Sequence, residues 1–339
     1  MTSSLADLVD LTGQGYSYKF VGEGAANLVF EIIHPDGNEQ MGVFQGMLLR
    51  VPKAGTQAYK HEDLQLYWET SVQPLFGLQD LVQQRLVRLG DAHVVSLLNA
   101  ALDLHEAETG RRHDFKGSKV AHAEYGMLVE DMRKQHADDV VIEFKPKWLA
   151  QSPNAPPSAQ RCRNCAREAS RAIHNTHTHK SKSSPILCPL DFLACQDSPQ
   201  ALDRVVAHVV SHLSLPASSP QHTRLVSWLQ TNELLARLRD AQTSNDAHGP
   251  LRASVHDPRF QLAMTLRDCT CFVRIPAQAD RPVEAKFADL DMKNWEAKLG
   301  YWQATEKELI AEGYYHGHEK PRQRTNCRLE GLVTDDGEE

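Results

Sequence analysis

No stretch of this 339-residue chain stays apolar for the length needed to cross a bilayer. Its opening, MTSSLADLVDL, lacks the basic region and long apolar core of a signal peptide. Cysteines are few and odd in number, seven, and are not spaced as a small secreted framework. These absences argue against a membrane span and a disulfide-stapled secreted fold, and they predict a reducing, intracellular setting. An excess of positive charge is missing too. Lysine and arginine total 37 against 44 acidic residues, a formal net charge of −7, so nothing draws the whole chain to nucleic acid or an anionic membrane. No Gly-Lys-Ser/Thr follows a glycine-rich loop, which excludes a Walker A site, and no dinucleotide fingerprint opens a helix. No internal repeat is visible.

What is present is ordinary in bulk and uneven in detail. A hydrophobic fraction of 41% and a charged fraction of 24% suit a globular protein long enough for two domains. Residues 143–182 carry eight basic side chains (Lys145, Lys147, Arg161, Arg163, Arg167, Arg171, Lys180, Lys182) and two acidic ones, Glu143 and Glu168. A local basic patch in an acidic chain suits a compact anion, and the little aromatic interleaving that accompanies it argues against single-stranded nucleic acid. Two distant segments, VIEFKPK at 141–147 and DLDMK at 289–293, each end an apolar run in charges of both signs. Buried unpaired charge costs several kcal/mol. A polyphosphate with a metal would satisfy both clusters, which points to a nucleotide.

The order of elements predicts a β-rich first part. Runs of strand formers at 27–33 and 43–51 flank the turn signal Pro35-Asp36-Gly37-Asn38. Leu78, Leu81, Val82, Leu86 and Leu89 predict a helix within 72–89. Strands are expected again at 125–129 and 140–144, with the apolar run 140–142 buried on both faces. Helices are expected around Leu202, Val205, Val206 and Val209, around Leu225, Trp228, Leu229 and Leu235, and at Trp295, Leu299, Trp302 and Leu309. Cys269, Cys271, Val273 and Ile275 alternate as one face of a strand. The acidic tail from Thr334 reads as frayed.

Several motifs carry chemistry, each beside a plainer reading. VGEGAAN at 21–27 precedes a strand and could let backbone N–H groups approach phosphate, or be a simple glycine turn. Arg50 and Lys53 could hold nucleotide phosphate or line a solvated strand edge. Glu143, Lys145 and Lys147 share one face of an extended strand by period-two alternation, as a site or as a surface ladder. Asp268, Asp289 and Asp291 could supply oxygen ligands to Mg²⁺, or be turn and surface residues. Cys162 and Cys165 have zinc-like spacing and are followed by His174, His177 and His179. Those histidines sit in a polar stretch that reads as a loop, so a structural zinc stays an open alternative that is not favoured.

Taken in order, GEGAANLV, LLRVPK, YGMLVEDM, VIEFKPK, the basic helix start at Arg161, CPLDFLA, LRDCTCFVRI and DLDMKNWEAKLGYW resemble the inositol-pentakisphosphate 2-kinase family in a fungal form. The likeness runs from about residue 20 to about residue 302, and EFKPK is its most specific element. It implies an α/β (α+β), two-lobed, kinase-related fold: a β-rich nucleotide-binding lobe at 1–135, a larger mixed lobe at 136–333 and an acidic tail at 334–339. The implied reaction moves the ATP γ-phosphate to the 2-hydroxyl of inositol 1,3,4,5,6-pentakisphosphate, giving inositol hexakisphosphate. Alternatives are a kinase of another small-molecule or protein hydroxyl, or a non-catalytic inositide-binding protein.

The resemblance also implies roles. Gly24, Ala25, Asn27 and Arg50 would meet nucleotide phosphates, Glu130 and Met132 would bracket the adenine-binding hinge, and Glu143 would contact the sugar. Lys145 and Asp268 would be catalytic, with Lys145 on the transferring group. Asp289, with Asp268, would hold Mg²⁺. Lys147, Arg161, Asn232, Lys293 and Tyr301 would bind the inositide, with the basic stretch 161–182 taking its phosphates. There are departures: Cys165 and Ala297 stand at positions that are basic, or at the first imidazole, in relatives. Lys298 is a candidate replacement for the second, and Asn294 follows Lys293 where proline is usual. Plant members hold zinc with histidine and cysteine ligands, a pattern that the spacing here does not locate. The expected partners are ATP and the inositide, without nucleic acid or membrane, for a monomer in nucleus or cytoplasm.

Overall fold

The computed structural model describes residues 8–13, 15–35, 44–56, 59–90, 92–176 and 187–331. Outside them lie Asp36, Gly37, Asn38, Val43, His177, His179, Lys180, Lys182 and the tail from Thr334. The chain divides into two compact units, Met1–Met132 and Arg133–Glu339. Both mix helix and strand, the expected α/β class.

The first unit is built on β1 (Val9–Asp10), β2 (Ser17–Glu23), β3 (Asn27–Ile33), β4 (Met47–Pro52), β5 (Gln84–Arg88) and β6 (Tyr125–Glu130), with α1 (His61–Tyr67) and α2 (Ala92–Glu108). The sheet order is β1-β5-β6-β4-β3-β2, antiparallel except where β1 runs parallel to β5. Alternation in β3 buries Leu28, Phe30 and Ile32, and these pack with Leu49, Val51, Val87 and Leu128 against Val94, Leu98 and Leu102 of α2. Burying an aliphatic side chain of this size contributes about 1.5–3 kcal/mol.

One expected element is absent. Residues 72–89 do not form a helix: a short turn Gln73–Leu75 with Pro74 at its start, another at Leu78–Asp80, and then β5 occupy the stretch. Proline tolerates only the first turn of a helix, and the leucines that fit a helical face instead bury at Leu81 and Leu89, on either side of β5. The helix of the region is α2, beyond it.

The second unit centres on a three-stranded antiparallel sheet, β7 (Val140–Phe144), β8 (Thr270–Ile275) and β9 (Glu284–Ala288), in the order β7-β8-β9. Around it lie α3 (Arg163–Thr176), α4 (Asp191–Ala194), α5 (Pro199–Val209), α6 (Pro220–Thr231), α7 (Leu234–Ser244), α8 (Pro258–Leu266) and α9 (Trp295–Ala311). Capping explains several starts. Ser198, Ser219 and Asp257 accept backbone N–H bonds ahead of a proline at the first helical turn of α5, α6 and α8. Asn294 does the same for α9 through Ala297 N, so asparagine at this position supplies a helix start. The apolar series from Leu225 to Leu235 is broken at Asn232, which closes α6 before α7 begins. Among the described residues, no helix is long and apolar enough to cross a membrane.

Candidate active site

β7 is buried on one face. Ile142 and Phe144 are inside, while Glu143 and then Lys145 face the other way and are exposed. The two-sided burial expected from its valines is therefore not seen. After buried Pro146, Lys147 adopts φ 60°, and at the end of β9 Asp289 adopts φ 56°. These are the non-glycine residues with left-handed φ among the described residues. Such a conformation costs about 1–3 kcal/mol and tends to persist where function needs it. It also takes Lys147 out of the strand alternation that would have aligned it with Glu143 and Lys145. Asp268 comes from the turn between α8 and β8, with its N–H bonded to Thr265 O at 3.0 Å.

These three segments converge. Lys145 Nζ donates to Asp289 Oδ2 at 2.7 Å and to the Asp268 carbonyl oxygen at 2.6 Å. Lys147 Nζ reaches Asp268 Oδ1 at 3.3 Å, and Lys293 Nζ reaches Asp268 Oδ2 at 3.1 Å. Burial pushes the Asp268 carboxyl up, but the charges of Lys293, Lys145 and Lys147 outweigh it and hold the group at about 2. Burial likewise works against the charged form of Lys293, and the carboxylates of Asp289, Asp268 and Asp291 raise it above the ordinary lysine value. Asp268 and Lys293 are thus both ionised at neutral pH, and the side chains of three lysines surround one carboxylate.

A polar pocket opens beside it. Lys147, Asp268 and Lys293 form one wall, α3 presents Arg163, Arg167 and Arg171, and α9 presents Lys298 and Tyr301. The arginines are spaced i, i+4, i+8 and so share one helical face. Their states differ. Arg163 is nearly buried, donates to Glu306 at 2.6 Å and lies over the Trp148 ring at 4.2 Å. Arg267 packs on the same ring, 3.4 Å from its centroid, and pairs with Asp246 at 2.5 Å. These two brace the pocket floor. Arg167 donates to the Tyr301 hydroxyl at 2.9 Å, and Arg171 pairs with Glu168 while remaining exposed. Burial raises the Tyr301 hydroxyl, and the Arg167 bond and charge bring it below its ordinary value.

Two expected inositide contacts lie elsewhere. Arg161 is fully buried: Nε binds Glu330 at 2.7 Å, Nη1 binds Glu319 at 2.6 Å, and Nη2 donates to Gln323 O at 2.7 Å. Its donors are engaged within the protein. Asn232 caps: its Nδ2 donates to Trp228 O at 2.9 Å and its Oδ1 accepts Leu235 N at 3.3 Å. The residues missed as individuals, Arg163, Arg167 and Arg171, were detectable from their four-residue spacing. Lys298 does line the pocket, beside Ala297. Cys165 points away from it, into a buried group with Cys162, Cys188 and Cys327, whereas His174 bonds Ser170 O at 2.9 Å.

In the first unit, Gly24, Ala25 and Ala26 turn β2 into β3, closed by Gly24 N to Asn27 O at 3.0 Å. Asn27 Oδ1 meets His61 Nε2 at 3.3 Å. Arg50 lies on β4 with Nη2 3.2 Å from Met127 Sδ. Lys53 is buried on Glu23 at 2.7 Å and over the Phe115 ring at 3.7 Å. Arg111, also missed, grips the same carboxylate at 2.5 Å. Burial raises Glu23, yet the Arg111 and Lys53 bonds bring it below the usual value, so this trio rigidifies the base of the glycine turn. Glu130 accepts Gln83 N at 3.1 Å at the end of β6, and Met132 is buried just after it.

A family model described as inositol-pentakisphosphate 2-kinase matches residues 20–308. An inositol-pentakisphosphate 2-kinase of Yarrowia lipolytica (strain CLIB 122 / E 150) is 34% identical over 197 residues, 57% of this chain. The aligned stretch spans 58% of that relative's length.

Proposed function

The chain belongs to the inositol-pentakisphosphate 2-kinase family, and we propose that it transfers the γ-phosphoryl group of ATP to the 2-hydroxyl of inositol 1,3,4,5,6-pentakisphosphate, releasing ADP and inositol hexakisphosphate. One observation carries this reading: a carboxylate held by three lysines opens directly onto a helix face of arginines. Two polyanions can react only where their repulsion is cancelled, and phosphoryl transfer needs positioning and charge stabilisation above all.

Asp268 orients the acceptor hydroxyl. Held at about 2, it is a weak base, so it accepts the hydroxyl proton only as that oxygen bonds to phosphorus and becomes acidic. Lys145 has three donors and can keep Asp289 while contacting the transferred oxygens. Lys147, Lys293, Arg167 and Arg171 bind inositide phosphates, with Lys298 and Tyr301 at the rim. Gly24, Ala25, Asn27 and Arg50 are assigned to nucleotide phosphates, Glu130 and Met132 to adenine, and Glu143 to the sugar. Asp289 and Asp268 flank an ammonium group, so the donor set already favours a cation and fits Mg²⁺, which takes carboxylate oxygens and shares phosphates. When bound, that ion would neutralise nucleotide phosphate charge. Seven cysteines without a disulfide support an intracellular location, in nucleus or cytoplasm, for a chain acting as a monomer.

The test is incubation with Mg-ATP and the pentakisphosphate, with products resolved by anion-exchange chromatography. The hexakisphosphate and an equal amount of ADP are expected. Phosphorylation of another acceptor, or nucleotide binding without turnover, would replace this reading.

A further inference from the structure

Two buried glutamines grip the backbone of the segments that meet at Asp268. Gln242 lies on α7 and is 1% exposed, and Gln261 lies on α8 and is 5% exposed. Gln242 Nε2 donates to Lys147 O at 2.8 Å and to Leu266 O at 3.2 Å, and its Oε1 accepts Leu149 N at 3.0 Å. One side chain therefore bridges the segment after β7 and the end of α8, just ahead of Asp268. Gln261 Nε2 donates to Lys293 O at 3.0 Å. Lys147 and Lys293 are the lysines whose ammonium groups reach the two Asp268 oxygens.

Buried polar groups need partners, and that need alone is the plainer explanation. Two observations go beyond it. Lys147 holds φ 60°, a conformation that costs energy for a residue with a Cβ and persists where its surroundings impose it. Gln242 takes the carbonyl of that residue and the N–H of Leu149, so one amide stands in for a backbone partner on both sides of Trp148, where β7 has ended. The bonds also converge on the site. Between the two glutamines, Thr265 accepts the Asp268 N–H through its carbonyl, and its hydroxyl donates to Asp291 O at 3.3 Å.

We propose that Gln242 and Gln261 are positioning residues for the phosphoryl transfer, setting through the backbone where Lys147, Lys293 and Asp268 stand. This role rests on the kinase reading above. Gln242 holds both Lys147 and the turn that carries Asp268, so it governs the chemical step. Gln261 holds Lys293 alone, so it governs inositide binding. A shift of about 1 Å at a reacting group is enough to cost about 10²-fold in rate.

Methionine keeps the length of glutamine and removes its amide. Gln242→Met should lower kcat by about tenfold or more, and Gln261→Met should raise the inositide KM by about fivefold or more, with the ATP KM unmoved in both. Gln303 makes the same kind of bond away from the site, from Nε2 to Ala253 O at 3.1 Å, and Gln303→Met should leave all three constants unchanged. Gln242→Glu gives a readout that lost stability would not move. A buried carboxyl keeps its proton to higher pH than usual, and while protonated it still donates from one oxygen and accepts at the other. The kcat of this variant, relative to the unaltered protein, should fall as pH rises through that ionisation, a limb absent from Gln242→Met. Should Gln242→Met not fold, the Gln242→Glu profile and Gln261→Met decide the matter. An unchanged kcat and inositide KM in the folded variants, a Gln242→Glu profile parallel to the unaltered one, or a loss explained wholly by fewer active molecules would overturn the proposal. An unaltered protein that makes no hexakisphosphate would remove the kinase reading and this role with it, whereas an active protein with indifferent variants removes this role alone.

Discussion

Arg161 and Arg167 lie six residues apart near one end of α3 and serve opposite environments. Arg161 is wholly enclosed, with Glu319, Glu330 and backbone carbonyls taking its donors. Arg167 faces the pocket and meets only a tyrosine hydroxyl and Ser170 at bonding distance, with Glu308 at 4.0 Å. A guanidinium enclosed by protein acceptors ties chain segments together. One that looks into a cleft with few acceptors is available to an anion. The same division separates Arg163 and Arg267, stacked on Trp148, from Lys147 and Lys293 around Asp268.

Removing members of each class tests that division. Lys145→Ala removes the group between Asp268 and Asp289, and kcat should fall by about 10²–10³ with the melting temperature little changed. Steady-state kinetics beside calorimetry would expose a merely structural role, which would instead appear as lost stability. Arg161→Ala should behave in reverse. It strands Glu319 in a buried site, and denaturant titration should show a loss of about 3–5 kcal/mol, while the inositide KM of the folded fraction stays near the unaltered value. A KM rise without destabilisation would return Arg161 to the binding site.

Arg167→Ala should raise the inositide KM by about tenfold or more, since a hydrogen bond to a charged group contributes about 1.5–3 kcal/mol, and should leave the ATP KM and the melting temperature alone. The smallest effect is expected from Asn294→Ala, which removes the α9 cap at a cost of about 1 kcal/mol; circular dichroism melts would detect it. The pH dependence follows from the Asp268 shift. Its folded value is depressed from 3.8 to about 2, so its contribution to stability is present above pH 3.8 and is lost as pH falls through about 2. In Asp268→Asn the stability loss between pH 4 and pH 2 should be shallower than in the unaltered protein.

Much of this was legible along the chain. A run of strand formers marked β3, and alternation marked β8, because side chains in a strand point to opposite faces. Serine, asparagine and proline stand at the starts of α5, α6 and α9 as local caps, a signal present in the sequence but not used. The spacing of Arg163, Arg167 and Arg171 contains the pocket face, whereas the family resemblance points to Arg161. Periodicity misled at 72–89, where leucines that fit a helical face are shared among turns and a strand.

Residue order alone determined the family resemblance, the local basic patch, the strand alternation and the caps, since each depends on neighbours a few positions apart. Tertiary structure decided which arginine is enclosed and which faces a cleft, because the acceptors of Arg161 lie more than 150 residues away in the chain. It also decided that Lys145, Asp268 and Asp289 meet, and that Cys188 and Cys327 join a CxxC pair whose nearest downstream candidates were histidines. Desolvation and Coulomb attraction act through space, so separation along the chain does not reveal which charges and sulfurs share one environment.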